Sequence, residues 1–184
     1  MRIDNRGFSL VEALVAGIAS LIIATVIYTI YIMHDRELSE GTARSLLQRQ
    51  YEVLAGEIGD TARHAFVILA SSDPAWTADY LPGWAVKQAQ TIKLIAPLTH
   101  ATLTGFRISE LNVIEQYNPA SDLWTPFYAG GNAPVRVANL PNFTNSFILS
   151  NNRNMVTINL VLTTTYKNKN YYHFARGDAF TCRN

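Results

Sequence analysis

Residues 6–33 read RGFSLVEALVAGIASLIIATVIYTIYIM. From Phe8 to Met33 the only charged residue is Glu12, and no proline interrupts the run. At about 1.5 Å of rise per residue, a membrane span needs about 20 apolar residues, so the stretch suffices. Arg2 and Arg6 precede it, while the following His34-Asp35-Arg36-Glu37 mixes signs. The excess of positive charge on the near side predicts a cytoplasmic N-terminus and an exported C-terminal part. The run ends in YTIYIMHDRE, which offers no small-residue site of the A-x-A kind. A retained anchor is therefore expected, not a removed secretory signal.

Glu12 asks for more than an anchor. A charge costs a few kcal/mol at the centre of a membrane helix and less near the interface. None of the twenty residues after Glu12 is basic, so no intrachain partner is evident. A group on another subunit is the natural candidate.

Gly7 to Glu12, GFSLVE, preceded by a short basic stretch and followed at once by an apolar helix, resembles the signal of the type IV pilin-like family (the class III prepilin signal). The resemblance implies that residues 1–7 are a leader. A prepilin peptidase would cut between Gly7 and Phe8 on the cytoplasmic side and N-methylate Phe8, leaving the apolar helix in place. Glu12, the fifth residue after Gly7, would be the assembly residue. The Phe8 amine of one subunit and Glu12 of its neighbour would neutralise each other in a low-dielectric bundle and set the axial register. An α-amine has a pKa of about 8, and methylation leaves it able to carry charge.

The composition agrees with one compact domain plus an anchor: 184 residues, 48% hydrophobic. Lys and Arg total 15 against 14 for Asp and Glu, so no global charge draws the chain to nucleic acid. Cys182 is the single cysteine, which excludes an intrachain disulfide. It is expected to be buried or inert, an intermolecular bridge being the alternative.

Beyond the anchor, apolar residues fall at Leu47, Tyr51, Leu54, Ile58, Ala62 and Ala65, in steps of four, three, four, four and three. That spacing marks one helical face, so the helix is predicted to continue and turn amphipathic. A helix from Phe8 to about Phe66 would be roughly 85–90 Å long. Gly41, Gly56 and Gly59 each weaken it by about 1 kcal/mol relative to alanine and offer places to bend. Major pilins usually carry a helix-breaking proline where this chain has Thr29, which points to a minor pilin or a pseudopilin.

The remainder changes character. SSDPAWTADYLPGWAVKQ reads as a structured loop. TIKLIAPL reads as a strand, and LNVIEQYNPASDLWTPFY as two strands around NPASD. MVTINLVLTTTYKNKNYYHFARGDAF reads as a long hairpin with KNKN at its tip. In its first strand Val156, Ile158, Leu160 and Leu162 alternate with Thr157, Asn159, Val161 and Thr163, one face for the core and one partly solvated. The strand pattern, the Tyr117…Trp124 turn and the ending CRN look like the J-type pseudopilins of type II secretion and equally like the W-type minor pilins. The expected fold is therefore α+β, a long N-terminal helix packed on a C-terminal antiparallel sheet. Its parts are the leader 1–7, a transmembrane helix 8–33, an amphipathic half 34–66 and a β-rich domain 67–184.

Nothing reads as catalytic machinery. His34, His64, His100 and His173 form no H-x-x-x-H pattern, and there is no G-x-S-x-G, phosphate loop or cysteine pair. The chain is expected to be the substrate of an enzyme, without cofactor or metal. The RGD of Arg176–Asp178 reads as part of the terminal hairpin, and the NFT of Asn142–Thr144 as loop. After Asn151, Arg153, Lys167, Lys169, Arg176 and Arg183 interleave with Tyr166, Tyr171, Tyr172 and Phe174. Such a stripe offers phosphate contacts and stacking rings, with Lys167 and Lys169 as the candidate nucleic-acid contacts. The favoured alternative is a tip kept soluble by lysines.

Three functions share the anchor. The first is a structural minor pilin near the tip of a type IV pilus-like fibre, helping to start assembly. The second is a pseudopilin of a type II secretion system, and the third a DNA-uptake pilin. The implied partners are other pilin or pseudopilin subunits, the prepilin peptidase, an inner-membrane assembly platform and membrane lipid. Nucleic acid is the less favoured partner.

Overall fold

A computed structural model describes residues 9–70, 86–97, 99, 101–130 and 133–182. Gly7, Phe8, His100, Arg183 and most of the loop expected after Ala70 lie outside the described residues. The chain separates into two compact units, Met1–Thr42 and Ala43–Asn184. A helix, α1 (Leu10–His64), supplies the body of the first and one element of the second.

In the first unit Leu10, Val11, Leu14, Val15, Ile18, Leu21, Ile22 and Ile23 are all exposed, and so are the apolar side chains through Met33. The helix is long and apolar enough to cross a membrane. Its hydroxyls turn back on their own backbone: Thr25 Oγ1 donates to the Leu21 carbonyl at 2.8 Å and Thr29 Oγ1 to that of Thr25 at 2.9 Å. This satisfies both donors without water, as an apolar surrounding requires.

In the second unit the predicted helical face is the buried one. Leu47, Leu54, Ile58 and Ala62 are fully buried, with Ala43 beside them and Tyr51 packed at the margin. Gly56 and Gly59 do not interrupt the helix, which runs unbroken to His64. Gly59 has a packing reason: a Cβ there would lie 2.9 Å from the ring of Phe180. Glycine therefore lets the last strand approach the helix backbone.

Among the described residues ten strands form two sheets. The first sheet contains β1 (Val67–Ala70), β3 (Thr91–Ile95), β4 (Thr102–Ile108), β5 (Ile114–Asn118) and β6 (Leu123–Pro126), in spatial order β1-β3-β4-β5-β6. The second has the order β10-β9-β8-β2, built from β10 (Lys169–Thr181), β9 (Met155–Tyr166), β8 (Ser146–Leu149) and β2 (Lys87–Ala89). The short β7 (Arg136–Val137) also pairs with β9. All pairings are antiparallel. The α+β layout is the expected one.

The core joins the helix face to both sheets. Ile68, Ile92, Leu94, Phe106 and Ile114 come from the first sheet; Phe147, Leu149, Val156, Ile158, Leu160 and Leu162 come from the second. Each such side chain gains about 1.5–3 kcal/mol from leaving water. The alternation in β9 holds with one departure. Val161, expected to be partly solvated, is fully buried. β7 and β8 pair with β9 on either side of that residue, and Asn145 fills the gap between them. The Val161 amide donates to Asn145 Oδ1 at 2.7 Å, the Ala138 amide to the Val161 carbonyl at 2.7 Å, and Asn145 Nδ2 to the Ala138 carbonyl at 2.7 Å.

The turns follow their sequence chemistry. At NPASD, Asn118 Oδ1 accepts from the Ala120 amide at 3.0 Å and Asp122 takes a left-handed φ of 55°. At KNKN only Lys167 and Asn168 form the turn, with φ of 46° and 60°; Lys169 and Asn170 already belong to β10. Two successive left-handed residues make the tight hairpin turn whose twist matches the strands.

Candidate functional site at the start of the helix

Ser9 immediately precedes α1 and caps it. The Val11 amide donates to Ser9 Oγ at 3.2 Å, and the Ala13 amide closes the first helical bond to the Ser9 carbonyl at 3.1 Å. Glu12 reaches back, its Oε2 accepting from the Ser9 amide at 2.9 Å. This is the reciprocal capping box of Ser-x-x-Glu, with serine at the cap and glutamate three residues on. Glu12 therefore does have an intrachain partner, contrary to expectation, and it is a backbone N–H, not a basic side chain. The signal was present as S-L-V-E.

The arrangement favours an anion at this place. The first turn leaves unpaired N–H groups, and the aligned peptide dipoles put partial positive charge there. Among the described residues Glu12 accepts through Oε2 alone, which leaves Oε1 for a second donor. Around it Leu10, Val11 and Leu14 are exposed, so any donor reaching Glu12 does so across an apolar surface.

The basic and aromatic stripe of the last hairpin does not form one surface. Arg153 is buried at the end of the hairpin remote from its tip, where Nη1 donates to the Ser150 carbonyl at 2.8 Å. Strand alternation then divides the rest. His173 faces the helix, its ring 5.4 Å from that of Tyr51. Phe174 and Arg176 take the other face, with Arg176 4.6 Å above the ring of Phe143 and Phe174 edge-on to the same ring at 6.2 Å. Lys167 and Lys169 remain together only at the tip. The RGD tripeptide is a bulge: the register shifts between Arg176 and Ala179, and Gly177 has φ of 90°. Asp178 there accepts a hydrogen bond from the Tyr51 hydroxyl. That contact ties β10 to the helix. The NFT segment lies in a loop.

A ladder of rings and cations crosses the first sheet. Lys93 lies 5.1 Å over Tyr117, Tyr117 is 5.3 Å from Trp124, and Arg107 is 4.7 Å over Trp124. Arg107 Nε also donates to Glu115 at 2.6 Å, so its charge is answered within the sheet. Gly105 sits under this ladder, where a Cβ would approach the Trp124 ring to 3.1 Å. The ring covers the glycine, which makes the ladder part of the packing. Among the described residues no three His, Cys, Asp or Glu side chains gather as a metal site.

Two weak acids, the half-buried Tyr51 and the buried Cys182, respond to alkali. Burial raises the Tyr51 hydroxyl well above 10.0, and its hydrogen bond to Asp178 raises it further. Burial pushes the Cys182 thiol from 9.0 up to about 11. Both hold their protons more tightly when folded, so the unfolded chain ionises first. The stability they contribute is whole below pH 9 and is lost as pH rises towards and beyond 11. The detergent-solubilised full chain should therefore melt lower at pH 10.5 than at pH 8. Tyr51→Phe with Cys182→Ala should flatten that slope. An unchanged slope in the double variant would show that other groups carry it.

No family model, curated protein or solved structure matches the chain.

Proposed function

We propose that the chain is a structural subunit of a type IV pilus-like fibre, a minor pilin placed near the tip that helps to start assembly. The observation that carries this reading is a carboxylate in the first turn of a helix that begins directly after GFS and is otherwise uncharged and exposed through Met33. Removal of residues 1–7 would leave the Phe8 amine as the new terminus, one residue before the cap. The geometry of Glu12 supports the reading in a specific way. One oxygen holds the helix start, and the other is left for the amine of a neighbouring subunit. In lipid, each charge without the other is costly, so the pair forms only on assembly. The second unit would be the exported part. The chain itself is then a peptidase substrate, with no catalytic role.

Shearing the surface fibres from cells that express the protein tests this. The chain is expected in the sheared fraction at low copy number. It should disappear from that fraction, and stay in the membrane, when the prepilin peptidase is inactivated. Equal recovery with and without the peptidase would overturn the proposal.

A further inference from the structure

On the face of the second sheet away from the core, Tyr172, Thr163 and Arg136 lie in one row. Tyr172 of β10 pairs with Thr163 of β9, which pairs with Arg136 of β7. Directly paired residues in antiparallel strands project from the same face. The row therefore sets a ring and a guanidinium on either side of a threonine, two strand spacings or about 9–10 Å apart. All three line a cleft of about 310 Å³. Thr165 and Asn170, the next pair towards the tip, extend its floor, their side chains bonded to each other at 2.8 Å. Asn139 stands exposed at the rim.

We infer that this cleft binds a carboxylated sugar residue. The guanidinium matches a carboxylate with a planar, two-pronged donor set. Arg136 is exposed, and neither of the ion pairs Arg63–Asp60 and Arg107–Glu115 involves it. Tyr172 is 44% exposed, so its ring has a free face against which the apolar side of a sugar ring can lie. The amides and hydroxyls between them suit a ligand dense in hydroxyl groups. A nucleic-acid strand fits less well. It carries a charge at every nucleotide and needs successive cations and rings, and the cleft presents one of each. Lys167 and Lys169 do not line it.

The test uses the full chain in detergent micelles and trigalacturonic acid as probe, with binding followed by saturation-transfer NMR and titration calorimetry. Arg136→Ala should weaken binding at least about tenfold, and Arg136→Lys severalfold, because the ammonium loses the two-pronged contact. Tyr172→Ala should also weaken it about tenfold, and Tyr172→Phe should stay within about twofold, since the ring face is kept. Asn139→Asp, at the exposed rim, should repel the probe while leaving the melting temperature unchanged. Maltotriose, which lacks the carboxylates, should bind at least about tenfold more weakly. Absence of binding, binding that Arg136→Ala and Tyr172→Ala leave intact, equal binding of maltotriose, or tighter binding of an oligothymidylate would each overturn the inference.

Discussion

Glu12→Gln is expected to remove the protein from sheared fibres, at least about tenfold relative to its membrane pool, while leaving it inserted and folded. Glutamine keeps a side-chain oxygen that can accept from the Ser9 amide, and glutamine serves in capping boxes as glutamate does. The helix start is therefore preserved, and only the charge is lost. Ser9→Ala makes the opposite change. It deletes the Oγ that accepts from Val11 and should loosen the first turn by about 1 kcal/mol, with the carboxylate still present. Under the proposed function Ser9→Ala enters fibres and Glu12→Gln does not. Neither residue belongs to the second unit, so its thermal melting should not move in either variant. If Glu12→Gln enters fibres normally and Ser9→Ala fails, Glu12 acts as a helix cap and has no intersubunit role.

Phe106→Ala should be among the most damaging single changes in the folded unit. Phe106 is fully buried in the common core, edge-on to Phe127 at 6.1 Å. Truncation removes the transfer free energy of the ring, leaves a cavity and ends the ring–ring contact, for a loss of about 3–5 kcal/mol. A domain of this kind is stable by about 5–15 kcal/mol in total, so the variant should be partly unfolded near its former working temperature. Urea unfolding of the full chain in detergent, followed by tryptophan fluorescence, measures it. Phe106→Leu should recover most of the loss. A loss below about 1 kcal/mol in Phe106→Ala would contradict the placement of this side chain at the centre of the core.

The elements that were legible in the sequence share one property: their side-chain period is set by a single buried face. The helix showed through Leu47, Leu54, Ile58 and Ala62, and β9 through Val156, Ile158, Leu160 and Leu162. The terminal hairpin and the pair around NPASD were framed by residues that tolerate left-handed backbone, such as Asp122 and Asn168. β1, β4 and β8 were not anticipated, and β2 begins where a loop was expected. In β1 all four residues are buried, which erases alternation, and in β4 Thr104, Gly105 and Phe106 are buried in succession. Short β7 is held by partners distant in sequence, β9 beyond the end of β8 on one side and Val113 on the other. The separation of the basic stripe into two faces follows from strand parity, which a count of residue types ignores. At the candidate site, Glu12 was conspicuous as a lone acid among apolar residues. Its bond to Ser9 was missed because backbone donors do not show in a search for opposite charge. The Arg136–Thr163–Tyr172 row joins the distant β7 to the β9–β10 hairpin, so only the register brings it into view.

Fibre assembly through the Phe8 amine and Glu12 requires that the amine exist. The intact mass of the protein, extracted from the membranes of cells with an active prepilin peptidase, reads this in one spectrum. The expected species begins at Phe8 and carries one additional methyl group. Gly7→Leu should hold the chain at its full-length mass, because the cut needs a small residue before it. A chain that still begins at Met1 in those membranes, or one that begins at Phe8 without the methyl group, would contradict the account.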